Sequence, residues 1–117
     1  MTVMKPERII DIINGDLLHK ANNSDLNLDT IIASDLMSDV LTLENEPDIL
    51  VTGLANTQCI RTAEMADIPF VIIAKGKKVS SEIIDLAQEG DIFLISTHLS
   101  IYKCCGLLYA HGIKDTF

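Results

Sequence analysis

Residues Asp48–Lys78, DILVTGLANTQCIRTAEMADIPFVIIAKGKK, read as strand, glycine turn, helix, proline, strand and basic turn. Asp48–Thr52 holds a continuous apolar run, Ile49–Val51, and Phe70–Ala74 is a second one. Strands apolar at every position are covered on both faces, which is the habit of parallel sheets. Between them Thr57–Asp67 carries Ile60 and Ala63 at helical spacing, and Pro69 stands at a strand start, where its missing N–H is tolerated. Such a strand-helix-strand unit predicts parallel pairing through a right-handed crossover.

The same rhythm continues toward the C-terminus. Ser80 or Ser81 opens a helix through Gln88, with Ile83, Leu86 and Ala87 inward and Gly90 as its stop. Ile92–Ser96 is a third buried strand. His98–Ala110 is a last helix, with Ile101, Cys104, Cys105 and Leu108 on one stripe and Gly112 at its end.

Toward the N-terminus, Pro6 suits a first helical turn, Ile9, Ile12 and Ile13 mark one apolar face, and Gly15 fits the C′ position. Leu17–Leu18 reads as a short strand, Ala21–Asn27 as a polar loop and Leu28–Ala33 as a weak strand. Ser34–Leu43 reads as a helix capped by Ser34 or Asp35. Its Leu36, Met37, Val40, Leu41 and Leu43 cover more than one face, so one side is expected against the sheet and the other against a partner subunit. The predicted fold class is α/β: a three-layer α/β/α domain over residues 1–117 with a central, mostly parallel sheet.

Composition bounds the partners. The chain has 117 residues and a formal charge of −8, so it repels a phosphate backbone, and nucleic acid is not an expected partner. No apolar run approaches the length of a membrane span. Three cysteines, an odd number with Cys104 and Cys105 adjacent, do not make a disulfide framework. MTVMKPERII lacks signal-peptide anatomy, and a reduced, cytoplasmic protein is expected. Aromatics are three Phe, two Tyr and no Trp, so the core must be aliphatic; the aliphatic surplus points to surface buried in a homodimer.

Ligands in open α/β sheets bind outside the carboxyl ends of the strands. Three ends are readable: Thr52–Asn56, Lys75–Lys78 and Ser96–His98. Of nine basic residues, three fall at Lys75, Lys77 and Lys78, and Arg61 follows the first turn by a little over one helical turn. One reading is an anion pocket: Arg61, Lys75, Lys77 and Lys78 neutralise a phosphate, nucleotide or carboxylate, amides near Gly53 and Gly76 orient it, and Thr52, Asn56 and Thr97 supply hydrogen bonds. The other is a solvated loop whose lysines offset Asp48, Glu64 and Asp67. His98 alone among three histidines lies at this edge, and Cys59 near a helix N-terminus is a candidate reactive thiol. Asp35 and Asp39 share one helical face, but a cap and a solvated turn explain them better than a metal, and no metal or cofactor is expected. There is no GxxxxGK[ST] loop, no GxGxxG after a strand and no GxSxG elbow, so phosphoryl or acyl transfer has no motif behind it.

SDLMSDV at 34–40, TGLANTQCIRTAEMADI at 52–68 and AKGKKVSSEIIDLAQEGDIFLIST at 74–97 together resemble the DRTGG domain family, over about Pro6 to Gly112. The chain departs from the family's name motif, with Ala74-Lys75-Gly76-Lys77 where relatives carry a Thr-Gly-Gly-type turn. The resemblance implies an α/β/α fold similar to the non-catalytic N-terminal domain of HPr kinase/phosphorylase. It also implies a regulatory or dimer-forming role, as beside CBS-domain pyrophosphatases and phosphotransacetylases, rather than an enzyme. Stand-alone members occur near iron-hydrogenase components of anaerobes. The expected function is therefore a non-catalytic, homodimeric module sensing a small anion at the strand-end edge. The alternative is an assembly module with a redox-enzyme partner and no small ligand. In either case Leu36, Met37 and Val40 are the expected dimer or docking surface.

Overall fold

The computed structural model describes residues 4–23 and 25–116; Ser24, in the polar loop, lies outside them. Six strands form one sheet: β1 (Asp16–His19), β2 (Thr30–Ala33), β3 (Ile49–Thr52), β4 (Phe70–Ile73), β5 (Phe93–Ser96) and β6 (Lys114–Asp115). Their spatial order is β1-β5-β4-β3-β2-β6. All neighbours are parallel except β1, which pairs antiparallel with β5. Among the described residues five helices flank the sheet: α1 (Pro6–Ile12), α2 (Met37–Leu41), α3 (Thr57–Met65), α4 (Ser81–Glu89) and α5 (Ile101–Ala110). The fold is α/β, a mostly parallel sheet between two helical layers.

Strand alternation builds two cores. Ile49, Val51, Phe70, Ile72, Phe93 and Ile95 point to the side of Ile9 and Ile13 from α1 and its cap and Cys104 and Leu108 from α5. Leu50, Val71, Ile73 and Leu94 point to the side of α2, α3 and α4. β3 and β4 are buried at every position, so a polar side chain there needs a partner, as Thr52 has in Asp35. Phe70 and Phe93, register partners on neighbouring strands, pack with ring centroids 5.6 Å apart.

Helix ends explain the turns. Three of the four longer exits place a non-glycine residue in left-handed backbone: Asn14 (φ 51°), Asp67 (φ 57°) and Asp91 (φ 54°); Gly112 (φ 98°) serves after α5. In each, the next amide reaches back five residues, as Ile68 N–H to Ala63 C=O at 2.8 Å and Ile92 N–H to Ala87 C=O at 2.9 Å. Asn and Asp accept this conformation more readily than other non-glycine residues. Gly90 ends α4 as expected, as its C-cap, while Gly15, expected at C′, sits one residue beyond Asn14. Gly15 is needed for closeness, since a Cβ there would fall 2.6 Å from Ile95 Cγ2.

α2 departs most from expectation. It spans five residues, not ten, and neither Ser34 nor Asp35 caps it. Ser34 Oγ accepts from Leu36 N–H at 3.0 Å, while Asp35 turns across to β3. So short a helix has one narrow stripe to bury, and the core takes it. Met37 and Val40 pack inward with Leu50 and Ile60, which leaves them no surface for a partner, whereas Leu36 remains 58% exposed. β6 was not legible in the sequence: two residues carry no period.

Candidate functional site

The parallel register of β2 to β5 brings the turns after them to one edge. Thr52 pairs with Ile73, and Ile73 with Ser96. After β4 the chain leaves for α4 on one face, and after β5 for α5 on the other. That divergence makes the β4/β5 boundary the switch point at which a ligand crevice opens in such sheets. Here the boundary is bridged by main chain. Lys75 N–H donates to Leu99 C=O at 2.8 Å and Gly76 N–H to Thr97 C=O at 2.9 Å. Lys75 and Gly76 both hold left-handed backbone, φ 71° and 64°, so Lys75 carries a conformation that costs a non-glycine residue about 1 kcal/mol.

The most connected group at this edge is Asp35, just past β2. Its Oδ1 accepts from Gly53 N–H at 2.7 Å and from Thr52 O–H at 2.9 Å. The Gly53 amide beside it holds the carboxyl below the ordinary value of 3.8; the Thr52 hydroxyl and the charges of Lys75 and Lys77 act the same way, against partial desolvation. Lys75 lies over Gly53: its Nζ is 2.8 Å, and Asp35 Oδ2 3.5 Å, from the point where a Gly53 Cβ would start. Asp35, and not Asp48, Glu64 or Asp67, is thus the acid that faces the lysines. Asp48 instead accepts from the Asp29 and Thr30 amides at the far end of β2.

The residues read from the sequence divide into those still available and those already bonded. Lys75, Lys77 and Lys78 are exposed, and none has a carboxylate within ion-pair distance among the described residues. Thr52 is buried, donates to Asp35 and accepts from Leu54 N–H at 3.2 Å. The Gly53 and Gly76 amides are used as described above. Asn56 caps α3, accepting from Cys59 N–H at 3.1 Å. Thr97 is buried and donates to Ile13 C=O at 2.8 Å, so its hydroxyl ties the β5 turn to α1. Arg61 is exposed on α3, and no hydrogen bond or ion pair joins it to the turns among the described residues. His98 is exposed, its Nδ1 3.3 Å from where a Gly76 Cβ would start.

Two of the three thiols are buried. Cys59 is fully buried and donates to Asn56 C=O at 3.1 Å, and burial pushes it up to about 11 in spite of its place at a helix start. Burial also pushes Cys104 up to about 12. Among the described residues no group of three or more His, Cys, Asp or Glu could hold a metal, and no helix is long and apolar enough to cross a membrane.

A second surface escaped sequence reading. A groove of about 720 Å³ runs along α5 beside Ile31, Ala33 and Ile113. Tyr102 and Tyr109, two helical turns apart, are 88% and 76% exposed on it. Gly106 between them has no heavy atom within 4 Å of a would-be Cβ, its own helix backbone and chain neighbours apart. The Tyr-x6-Tyr spacing was the available signal.

Comparison with known proteins places this arrangement. Superposition finds the fold in the crystal structure of the CBS and DRTGG domains of the regulatory region of Clostridium perfringens pyrophosphatase, complexed with its activator diadenosine tetraphosphate. The TM-score is 0.76 at 16% identity, covering 93% of this chain and 47% of that one. No curated protein matches the sequence. A profile of the DRTGG domain matches residues 8–110, nearly the whole chain, and the chain belongs to the DRTGG domain family.

Proposed function

We propose that residues 1–117 act as a single non-catalytic regulatory module that senses a small anion, a phosphate or nucleotide, at the carboxyl edge of the sheet. The observation that carries this reading is Lys75. A main-chain bond to Leu99, and that of Gly76 to Thr97, hold it in left-handed backbone and its ammonium lies over the Gly53 turn, with Lys77 and Lys78 following, in a chain of net charge −8. Backbone outliers of this kind persist where the surroundings over-determine them and often mark ligand sites. The similar pyrophosphatase region was crystallised with a polyphosphate nucleotide, which supports the ligand class. A covalent enzyme reading loses its thiol, because Cys59 at about 11 offers almost no thiolate near neutrality.

The test is thermal unfolding and calorimetry with phosphate, pyrophosphate, AMP, ATP and diadenosine tetraphosphate. A ligand at a hundred times its Kd should stabilise the fold by about 2.7 kcal/mol. Lys75→Ala with Lys77→Ala should abolish the gain. No stabilisation by any of these ligands would remove the anion reading.

A homodimer is the second part of the proposal, and exposed Tyr102 and Tyr109 move its surface from α2 to α5. No Asp or Glu occurs from Ile92 to Lys114, and Asp115 at the end of the groove is the one acid lining it, so this face is the least acidic route by which a second copy of an acidic chain can approach. A redox-enzyme partner is the alternative occupant. Light scattering separates them, since only self-association doubles the mass of the purified chain.

A further inference from the structure

The turn that would receive an anion already holds one, and it belongs to the protein. Two donors, the Gly53 backbone N–H and the Thr52 side-chain O–H, converge on a single oxygen, Asp35 Oδ1, at 2.7 and 2.9 Å. Two donors on one oxygen, with a lysine ammonium poised over the turn, is the arrangement that suits a phosphate oxygen as well as a carboxylate. Asp35 is exposed and sits on a short segment, Ser34–Leu36, between β2 and α2. Among the described residues, these two bonds and the lysine field are what hold its side chain in place.

We infer that Asp35 is a built-in competitor for the anion site: its carboxylate stands in for a ligand phosphate until a more highly charged anion displaces it. The inference rests on the anion-sensing reading above and adds its regulation and its selectivity. A tethered carboxylate competes at high effective concentration. A singly charged anion such as acetate offers the lysines no more than Asp35 does and does not displace it. Phosphate offers more charge, and pyrophosphate more still, with extra oxygens for Lys75 and Lys77.

Displacement has a mechanical consequence. Asp35 ties the start of α2 to the end of β3, and α2 has no side-chain cap of its own. Ser34 N–H keeps its bond to Val51 C=O, at 3.0 Å, so the release begins after Ser34. Residues Leu36–Leu41 then lose their polar tether while Met37 and Val40 stay packed on the core, and exposed Leu36 and Leu41 are the groups set free to move. Ligand arrival is thereby converted into loosening of one short helix.

The experiment uses the full chain with acetate, phosphate and pyrophosphate as probes, read by calorimetry and by amide NMR. Asp35→Asn, which keeps the side-chain shape and one acceptor, should bind pyrophosphate at least tenfold more tightly than the unaltered protein. Adding Lys75→Ala to it should reverse the gain. In the unaltered protein, pyrophosphate should perturb the Gly53 amide, shift the Asp35 carboxyl carbon toward its solvent-exposed position and speed amide exchange at Leu36–Leu41. Acetate should do none of these. If the unaltered protein binds pyrophosphate and Asp35→Asn binds it equally or less well, the competitor is overturned while the anion site stands. Binding that leaves the Gly53 amide and the Asp35 carboxyl unmoved also overturns it, without needing a variant. No binding by either protein removes the site and the competitor together.

Discussion

At the carboxyl edge of the sheet, the polar groups that looked ready for a ligand are mostly bonded inside the chain. Gly53 and Thr52 serve Asp35, Gly76 serves Thr97, and Thr97 serves Ile13. Along α5 the opposite holds, with Tyr102 and Tyr109 exposed over a groove and Gly106 open between them. A polar edge left unbonded would cost desolvation wherever it was buried, so the fold closes it with its own groups. An apolar helix face can be left open at the surface without an unsatisfied donor, and only a partner closes it. The two regions therefore differ in what would occupy them: the edge needs a competitor for existing bonds, and α5 needs only contact.

That contrast can be broken or sharpened by substitution. The largest effect is expected at Met37→Asp. It buries a carboxylate in the core of α2 and β3 and should destabilise by about 3–5 kcal/mol. Chemical denaturation reads this; a folded, dissociated variant would return α2 to the role of partner surface. Next is Asp35→Asn in the absence of ligand. It weakens two hydrogen bonds to an exposed charge and should lower stability by about 1 kcal/mol. Because the folded carboxyl lies below 3.8, its contribution is present above that value and is lost as pH falls through the lowered one. The variant should therefore show a shallower fall in melting temperature below about pH 4. The charges that face Asp35 are those of Lys75 and Lys77.

Smaller in stability, though not in assembly, is Tyr102→Asp with Tyr109→Asp. Both positions are solvent-exposed, so the isolated fold should change by under about 0.5 kcal/mol, while light scattering should show a monomer. An unchanged dimer would clear α5 as the surface. The smallest effect is chemical. At pH 8, iodoacetamide should modify half-buried Cys105 on the α5 side first, and Cys59 and Cys104 only on unfolding, read by mass spectrometry of the intact chain. Early loss of Cys59 would mean that the edge opens readily.

Much of the fold was legible because its signals are local. Ile49–Val51, Phe70–Ile73 and Phe93–Ile95 are apolar on both faces, and Ser80 caps α4 through an amide three residues on. Each signal lies within a few residues of the structure it makes. The candidate site was legible as an address only. Parallel strands put the turns at one edge, and a cluster of lysines stands out in an acidic chain. Asp35 was misread as a helix cap because its true partners are 17 and 18 positions away, and Thr97 as a ligand donor because its acceptor is 84 positions away.

The sequence by itself determined the strand-helix rhythm, the parallel sheet, the edge at which the turns gather and the basic character of one of them. These follow from periodicity and chain geometry. Only the tertiary structure decided which donors at that edge remain free, that Met37 and Val40 face the core, that β1 reverses and β6 closes the sheet, and that α5 carries the open apolar face. The reason is the same throughout. A hydrogen bond or a buried face is satisfied by whatever packing brings near, and nearness between distant positions is a property of the fold and not of the local pattern.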